Sequence, residues 1–432
     1  MSARTLTGLF AACALVAGCS SAIPGDDASA PDSPSSPAAG PEETMPETTP
    51  EPTPEITTEP EPEPNEIVDE LTIVSGGDVL IHSSVWEAAA QADGSYDFTF
   101  QFAGVEDWIA GADLALCSLE VPIAPEGEAP SNYPLFGAPA DLIPSLKAVG
   151  FDGCNLATNH TMDRGFPGIA RTVDLLEANG MGWHGGARTE EEFNETQFYV
   201  IPSEERDVTV AHISASTLTN GLSAPADKPW AWYVVGDLGP YDVTDVIEQA
   251  RRARADGADL VVVSMHWGTE YVSEPIPEQV ELGRQLAESG EIDLVYGNHS
   301  HVPEPVEKLP GGPDGDGMWV VWSMGNMLSG QQVSSHGYRV NTGILATATV
   351  EVPRSGPAKV ATLDWTAITQ DSAGGKRLFP LSKLRSGEVV APTLSAREIE
   401  AHAAATYPVM DPSGPERTEP PTSSRTVTPE RR

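Results

Sequence analysis

Asp, Glu, Asn and His side chains follow most of the predicted strands of this chain, at the point where each strand ends. They are Asp78, Glu120, Asn159, His160, His266, His299, His301 and Asn326. Such side chains are ligands for hard and borderline divalent cations. In an open parallel sheet, ligands bind beyond the carboxyl ends of the strands. The pattern therefore predicts a metal site at which several strand ends meet.

Two pairs of residues carry more information than the rest. His299 and His301 lie on the same side of an extended segment, so both imidazoles can reach one cation or a pair of cations. His160 is followed one turn later by Asp163, whose carboxylate can hold the tautomer of the imidazole. By contrast, the stretch 76–78 is equally compatible with a simple turn.

Short apolar runs alternate with helical segments through most of the chain. Strands are predicted at 71–74, 112–117, 151–156, 207–212, 258–264 and 292–296, and helices at 140–149, 168–179, 243–255 and 278–289. Continuous apolar runs separated by helices indicate a buried, largely parallel sheet, so the fold class is α/β. After about residue 315 the pattern predicts only strands, at 318–323, 343–352 and 359–368. These either complete the domain with antiparallel strands or add a second sheet.

The composition argues against several classes of protein. The 432 residues include 64 Asp and Glu against 24 Lys and Arg, with no basic stripe, so no nucleic-acid partner is expected. No apolar run after residue 20 approaches the roughly 20 residues that span a bilayer. With 39 prolines and a net charge of −40, part of the chain is expected to be disordered.

The first residues resemble a bacterial lipoprotein signal. Arg4 precedes an apolar stretch over 9–18, which ends in Val16-Ala17-Gly18-Cys19. The resemblance to a lipobox implies cleavage before Cys19 and a lipid on its thiol, which would anchor the protein at the extracytoplasmic face of the cell membrane. The alternative is an ordinary secretory signal in which Cys19 is incidental.

Four segments are predicted along the chain. A signal peptide at 1–18 precedes a disordered stalk at 19–70, whose prolines and like charges keep it extended at about 3.1 Å per residue. The folded domain covers 71–405. Residues 406–432 are predicted to be a disordered tail, because this end of the chain has no apolar periodicity.

Cys117 and Cys154 lie near the ends of two strands that can be neighbours. Outside the cytoplasm they could form a disulfide. Two free buried thiols are equally compatible with the sequence, because the geometry of a disulfide between strands is restrictive.

Six motifs, in this order, resemble the poly-γ-glutamate capsule synthesis family of CapA type. They are Gly77-Asp78, Leu119-Glu120-Val121-Pro122, Ala157-Thr158-Asn159-His160 with Asp163, His266-Trp267-Gly268-x-Glu270-Tyr271, His299-Ser300-His301-Val302 and Ser323-Met324-Gly325-Asn326. The resemblance covers about 70–350. That family is similar to calcineurin-like metallophosphoesterases, which implies a four-layer α/β/β/α sandwich. It also implies a role in the synthesis, export or anchoring of poly-γ-glutamate.

The resemblance implies a role for each matching residue. The metal ligands would be Asp78 and His301 for one ion, Asn159, His266 and His299 for a second ion, and Glu120 between the two. His160 would be the general acid, oriented by Asp163. One or two Mn, Zn or Fe ions would clamp an anionic substrate and lower the pKa of a bound water.

The first motif departs from the Asp-x-His pattern of phosphoesterases. Asp78 is followed by Val79 and Leu80, and His82 is two residues too far along the chain, so a single metal is also compatible with the sequence. Arg164 and Asn326 are candidate substrate contacts, although Arg164 is also compatible with an ordinary surface arginine.

Three functions follow from these observations. The strand-end ligands favour a metal-dependent hydrolase or transferase that acts on an anionic polymer or a phosphoester. The departure in the first motif favours a non-catalytic scaffold subunit within a membrane synthase complex for a capsule polymer. The fold by itself would also permit a secreted phosphoesterase.

Overall fold

The computed structural model of the protein describes residues 66–237 and 239–432. The predicted signal peptide, the lipid anchor at Cys19 and nearly all of the predicted stalk lie outside these residues and stay predictions. The first strand begins at Ile67, a few residues before the predicted end of the stalk at residue 70. Among the described residues, no helix is both long and apolar enough to cross a membrane.

Fifteen strands and eleven α-helices are present in the described residues. The strands are β1 Ile67–Leu80, β2 Leu114–Leu119, β3 Gly153–Asn155, β4 Gly182–His184, β5 Gln197–Pro202, β6 Asp207–Ser216, β7 Leu260–His266, β8 Leu294–Asn298, β9 Val306–Leu309, β10 Met318–Val321, β11 Asn326–Ser329, β12 Thr342–Pro353, β13 Lys359–Asp371, β14 Arg377–Pro380 and β15 Thr428–Arg431. The helices are α1 Ser83–Ala89, α2 Thr99–Phe102, α3 Glu106–Ala110, α4 Leu142–Val149, α5 Gly165–Ala178, α6 Glu190–Asn194, α7 Thr244–Ala255, α8 Pro277–Glu288, α9 Val333–His336, α10 Leu381–Ser386 and α11 Ala396–Met410. Every strand and helix that the sequence predicts is among them.

The strands form two mixed sheets. The first has the order β14-β13-β12-β1-β2-β3-β4, with β11 also paired to β1. Strands β1 to β4 run parallel, whereas β12 to β14 continue the sheet antiparallel. The second sheet has the order β15-β5-β6-β7-β8-β10-β9, with β6, β7, β8 and β10 parallel. The strands after residue 315 therefore divide between the two sheets.

Three apolar clusters separate four layers. The first lies between the first sheet and helices α3, α4 and α5. The second fills the space between the two sheets. The third lies between the second sheet and helices α7 and α8. This arrangement confirms the predicted α/β class and the four-layer α/β/β/α sandwich.

Strand β7 shows why the parallel strands are continuous apolar runs. Leu260 and Val262 face the cluster between the sheets, whereas Val261 and Val263 face helices α7 and α8. Successive side chains of a strand point to opposite faces, and both faces of this strand are covered. Apart from Ser264, which contacts His212 of β6, the polar residue of this strand therefore lies at its end, where the candidate ligands are found.

The prediction of a disordered tail over 406–432 is wrong in this structure. Helix α11 continues to Met410, and β15 pairs antiparallel with β5. The guanidinium of Arg431 pairs with Glu195 and lies 4.7 Å from the ring of Trp183. A backbone ladder and polar contacts hold this segment, and neither produces the apolar periodicity on which the prediction rested.

Cys117 and Cys154 form a disulfide between β2 and β3. They are direct partners in the parallel pairing, with Cα atoms 4.4 Å apart. The structure thereby decides between the two alternatives that the sequence left open.

Candidate metal centre

Asp78, Glu120 and His301 form the core of the site, and all three side chains are buried. One ligand atom from each lies within 4.8 Å of the others. Nδ1 of His301 is 3.3 Å from Oδ2 of Asp78, and its Nε2 is 3.7 Å from Oε1 of Glu120. Two carboxylates and an imidazole from both sheets therefore converge on one point.

Asp78 is positioned where β1 meets β11. Its backbone N–H donates to the carbonyl of Gly325 at 2.9 Å. Its carboxylate accepts from Ser118 Oγ and from the backbone N–H of His299, each at 3.2 Å. A Cβ at Gly77 would lie 2.0 Å from the carbonyl oxygen of Gly325, so only glycine permits this close approach. The glycine before Asp78 is thus part of the site, and the stretch 76–78 is more than a turn.

Glu120 follows β2 directly, and its buried carboxylate lies close enough to Asp78 for the two negative charges to repel each other. Neither of its carboxylate oxygens has a hydrogen-bond partner among residues 66–237 and 239–432. Burial, reinforced by the charge of Asp78, raises the pKa of Glu120 well above its usual range. A buried carboxylate without a donor is unfavourable unless a proton or a cation compensates it.

His266, His299 and Asn159 complete the cluster. Nδ1 of His266 lies 4.0 Å from Asp78, and its Nε2 lies 4.0 Å from Glu120 and 2.9 Å from Oδ1 of Asn159. The ring of His299 is centred 4.9 Å from that of His266. Burial, together with the neighbouring imidazoles, lowers the pKa of both His266 and His299 well below the usual range. The lowered pKa of each ring favours its neutral form, which is the form that binds a metal.

The backbone at His299 and His301 is not the extended segment that the sequence predicts. The φ angles are 99° and 60°, in the region that side chains other than glycine rarely adopt. Each such residue costs about 1–3 kcal/mol. Both rings nevertheless reach the cluster, with centroids 6.0 Å apart. The predicted convergence is correct, but a strained turn after β8 produces it.

His301 has a raised pKa in contrast to its neighbours. Although burial opposes protonation, the carboxylates of Glu120 and Asp78 raise its pKa to about 9. Without a cation in the site, His301 and Glu120 compete for a proton that offsets part of the negative charge of the cluster.

His160 and Asp163 lie beside the ligand cluster. Nδ1 of His160 is 2.7 Å from Oδ2 of Asp163, which also accepts the backbone N–H of Phe136 at 2.8 Å. The ring of Phe136 packs edge-on against the imidazole at 4.8 Å. The structure therefore contains the predicted contact between His160 and Asp163. The imidazole is held by the carboxylate of Asp163 and by the ring of Phe136.

Asn220 links the ligand cluster to the His160–Asp163 pair, and no pattern in the sequence predicts this role. Its Oδ1 accepts from Nδ2 of Asn159 at 3.3 Å, and its Nδ2 lies 3.5 Å from Nδ1 of His160. The only local signal is the pair Asn220-Gly221, which predicts a turn and nothing about a site. Its role depends on a loop after β6 that folds over the ends of the other strands.

Asn326 and Arg164 have other contacts than predicted. Oδ1 of Asn326 lies 3.1 Å from Nδ1 of His301, and its Nδ2 donates to Gln331 and to the carbonyl of Val340. Asn326 is thus occupied in orienting His301. Arg164 pairs with Glu128 and donates to Ser131 at 3.3 Å, so its guanidinium is engaged outside the cluster. Their substrate contacts stay predictions.

His82 lies next to the site without joining the ligand group. Its Nδ1 accepts the backbone N–H of Gly330 at 3.1 Å, and its ring packs against Phe136. Burial lowers its pKa to about 4. His82 therefore does not replace the histidine that the first motif lacks.

The residues present fit a divalent cation. Oε1 and Oε2 of Glu120, Nδ1 of His266 and Nδ1 of His299 are buried without a hydrogen-bond partner in the part of the chain that the structure describes. These are donor atoms for a borderline metal, in a mixed oxygen and nitrogen set. Asp78, Glu120 and His301 are the residues best placed to hold one ion.

Comparison with known proteins places this geometry in a family. The model of the bacterial capsule synthesis protein family PGA_cap matches residues 72–331, which include all the cluster residues. A "Probable polyglutamine synthesis accessory protein" of Mycobacterium tuberculosis is 31% identical over 204 residues, covering 46% of this chain and 53% of that protein. The capsule biosynthesis protein CapA of Bacillus anthracis is 25% identical, covering 61% of each chain. The chain thus spans about half the length of the curated relatives it matches.

Among solved structures, the calcineurin-like phosphoesterase YfkN of Bacillus subtilis aligns with a TM-score of 0.37 and 14% identity, covering 78% of this chain and 99% of that one. The family match extends over more than half of the present sequence and contains every motif on which the resemblance rested. The protein belongs to the bacterial capsule synthesis family PGA_cap.

Proposed function

We propose that this protein takes part in the synthesis, export or anchoring of a poly-γ-glutamate capsule polymer, through a metal-dependent hydrolase or transferase site. The observation that carries the proposal is the convergence of Asp78, Glu120 and His301, with ligand atoms within 4.8 Å of one another, in a chain of the capsule synthesis family. The Bacillus anthracis relative is named for capsule biosynthesis and a Bacillus subtilis relative for PGA biosynthesis, which supports the polymer, whereas the Mycobacterium relative is named for polyglutamine synthesis.

Asp78, Glu120 and His301 would hold one divalent ion, and His266, His299 and Asn159 are close enough to contribute to a second. A divalent ion there would act as a Lewis acid toward a phosphoryl or carbonyl oxygen and would make nearby water more acidic. The ion would also matter for binding. The protein carries a net charge of −40, so long-range steering repels a polyanion and local positive charge must attract it.

His160 would be the general acid that donates a proton to the leaving group of the substrate. Asp163 engages Nδ1 of the imidazole, which leaves Nε2 as the nitrogen for a leaving group. The carboxylate also holds the tautomer of the imidazole, and the packing of Phe136 limits rotation of the ring.

The cell membrane, on its extracytoplasmic face, is the proposed location. A lipid on Cys19 would anchor the chain, and the residues between Cys19 and the first strand at Ile67 would separate the domain from the bilayer. The disulfide between Cys117 and Cys154 supports an oxidising compartment. A membrane-embedded synthase complex is the proposed partner.

The metal content of the purified full chain tests the site. We expect one or two equivalents of Mn, Zn or Fe by elemental analysis, and loss of that metal in a His299→Ala/His301→Ala double variant. A His336→Ala variant is the matched control, because His336 lies outside the ligand cluster and stacks on Tyr271. A parent protein that stays free of metal after incubation with these ions would contradict the proposal.

Polymer output in the producing cell separates catalysis from scaffolding. If the site is catalytic, His160→Ala removes most of the polymer while the protein stays anchored. If polymer survives loss of His160 but not Cys19→Ala, the protein is a non-catalytic scaffold. Turnover of free nucleotides or sugar phosphates without an effect on polymer would instead identify a secreted phosphoesterase.

A further inference from the structure

A second cavity, of about 610 Å³, lies beside the candidate metal centre. Its lining includes Gln331, Tyr338, Asn341, Ser372, Lys376 and His402. Gln331 connects the cavity to the metal centre, because its Oε1 accepts from Nδ2 of Asn326. Oδ1 of Asn326 in turn lies 3.1 Å from Nδ1 of His301. The cavity is therefore separated from a metal ligand by two side chains.

Lys376 is the unusual residue of this cavity. The residue is only 5% exposed and lines the cavity, and no ion pair or hydrogen bond of its ammonium is found among the described residues. Burial lowers its pKa, and no carboxylate compensates the loss of water. Its backbone has a φ of 67°, in the left-handed region, within the turn between β13 and β14. An ammonium without a partner, on a residue that is largely removed from water and has a strained backbone, is unfavourable for folding by itself and points to a role in binding.

The acidic residues around the cavity are already engaged. The carboxylate of Asp371 accepts from the backbone N–H of Gly374 and from both the N–H and the hydroxyl of Thr393. Glu398 accepts from the N–H and hydroxyl of Ser395 as part of a helix cap. Neither carboxylate pairs with Lys376, so the ammonium remains available to an anion that enters the cavity.

Ser372 offers a second donor. Its Oγ accepts from Nδ2 of Asn341 at 2.7 Å and from Nε2 of Gln370 at 3.0 Å. Both lone pairs of the hydroxyl are thereby used, and its hydrogen has no acceptor among the described residues. His402 adds no positive charge, because burial lowers its pKa to about 4.

We propose that this cavity is a carboxylate-binding subsite, in which Lys376 pairs with a side-group carboxylate of a γ-linked glutamate chain whose neighbouring bond lies at the metal centre. The inference rests on the proposed function and specifies which residue would hold a carboxylate of the polymer. The ammonium of Lys376 and the hydroxyl of Ser372 would replace the water that the carboxylate loses on entering the cavity.

Binding of a fluorescein-labelled γ-linked hexaglutamate to the metal-loaded full chain tests the proposal, with fluorescence anisotropy as the readout. We expect Lys376→Met to raise Kd about tenfold or more, because a charge-assisted hydrogen bond is lost. Lys376→Arg should restore most of the affinity. Lys359→Met is the control, since Lys359 is exposed and pairs with Asp316.

Thermal unfolding supplies a second readout that does not depend on the ligand. Because Lys376→Met removes a partly desolvated ammonium that has no partner, the variant should unfold at a higher temperature than the parent while it binds the oligomer more weakly. A lysine with a purely structural role would show the opposite change in stability.

Three outcomes would overturn the subsite. Lys376→Met with a Kd within twofold of the parent would exclude Lys376 as the contact. Inorganic phosphate that displaces the oligomer from the parent, but not from Lys376→Met, would identify a phosphate site instead. If the metal-loaded parent does not bind the oligomer at all, the polymer in the proposed function is wrong as well.

Discussion

The carboxylate of Asp163 holds Nδ1 of His160 at 2.7 Å and at the same time accepts the backbone N–H of Phe136. One carboxylate thereby fixes both the imidazole and the loop whose aromatic ring packs against it. Replacing Asp163 with Asn would keep the shape of the side chain but exchange the carboxylate that orients the imidazole for a neutral amide.

Asp163→Asn should therefore slow turnover at the centre by about tenfold to a hundredfold, less than the roughly hundredfold to ten-thousandfold that a general acid or base itself contributes, because His160 is still present. Hydrolysis of bis(p-nitrophenyl) phosphate by the metal-loaded chain is a suitable probe reaction. The metal content should not change, since Asp163 is not a proposed ligand. A loss of metal in Asp163→Asn would show that the residue shapes the ligand cluster instead of the proton donor.

Glu120→Gln should separate metal binding from folding. In the metal-free protein the raised pKa of Glu120 favours a protonated side chain, which Gln imitates, so stability should change by less than about 1 kcal/mol. In the parent, a metal at a hundred times its Kd should add about 2.7 kcal/mol to the free energy of unfolding. Glu120→Gln should lose most of this gain.

Urea unfolding with and without chelator measures both effects of Glu120→Gln. Glu281→Gln, on the exposed face of α8, is the control and should respond to metal like the parent. An equal response to metal in Glu120→Gln would remove Glu120 from the ligand set.

Glu304 predicts a pH dependence of stability. Burial raises the pKa of Glu304 to about 7, although Gln279 donates to one of its oxygens at 2.9 Å. A group with a raised pKa in the folded state contributes stability that is present below its unfolded pKa of 4.5 and is lost as the pH rises through 7. Relative to Glu304→Gln, the parent should lose about 2–3 kcal/mol between pH 4.5 and 8.

Urea unfolding at these two pH values, with chelator throughout, measures the dependence without a contribution from metal. Glu248→Gln, at an exposed position of α7, should show the same pH dependence as the parent. A Glu304→Gln variant that parallels the parent at both pH values would mean that Glu304 is ionised in the folded state.

The disulfide should stabilise the domain measurably. It closes a loop with a sequence separation of 37 residues. The loss of chain entropy for a loop of that size corresponds to about 3–4 kcal/mol at 25 °C. Dithiothreitol should lower the urea midpoint of the parent but not that of a Cys117→Ala/Cys154→Ala variant. Equal midpoints of the oxidised and reduced parent would contradict a stabilising bridge.

The C-terminal strand provides a test of the ordered tail. Deleting residues 428–432 removes the pairing of β15 with β5 and the contacts of Arg431. We expect a loss of about 1–3 kcal/mol and faster amide exchange along the uncovered edge of β5. Arg425→Ala, which leaves β15 in place, is the control for exchange at this edge. Unchanged exchange in β5 after the deletion would mean that the tail does not pair there.

Most of the fold could be predicted from local pattern. Apolar runs such as 258–264 and helical periodicity such as 243–255 locate elements because a strand or helix buries its faces at a fixed spacing. The polar ends of these strands indicated Asp78, Glu120 and His301 for the same reason, since a strand that is covered on both faces carries few polar residues elsewhere, His212 in β6 being an exception. The predicted tail failed because polar contacts and backbone pairing hold β15 without any apolar pattern.

The sequence by itself determined which residues could bind a metal and on which strand ends they lie. Only the tertiary structure decided which of them meet, because the cluster draws on both sheets and depends on how these stack across the apolar layer between them. The left-handed turn at His299 and His301, the contact of Asn326 with His301, and the unpaired Lys376 all arise from long-range packing. Local patterning specifies elements through burial alone, whereas the position of a side chain at their ends depends on strand pairing and loop closure between distant parts of the chain.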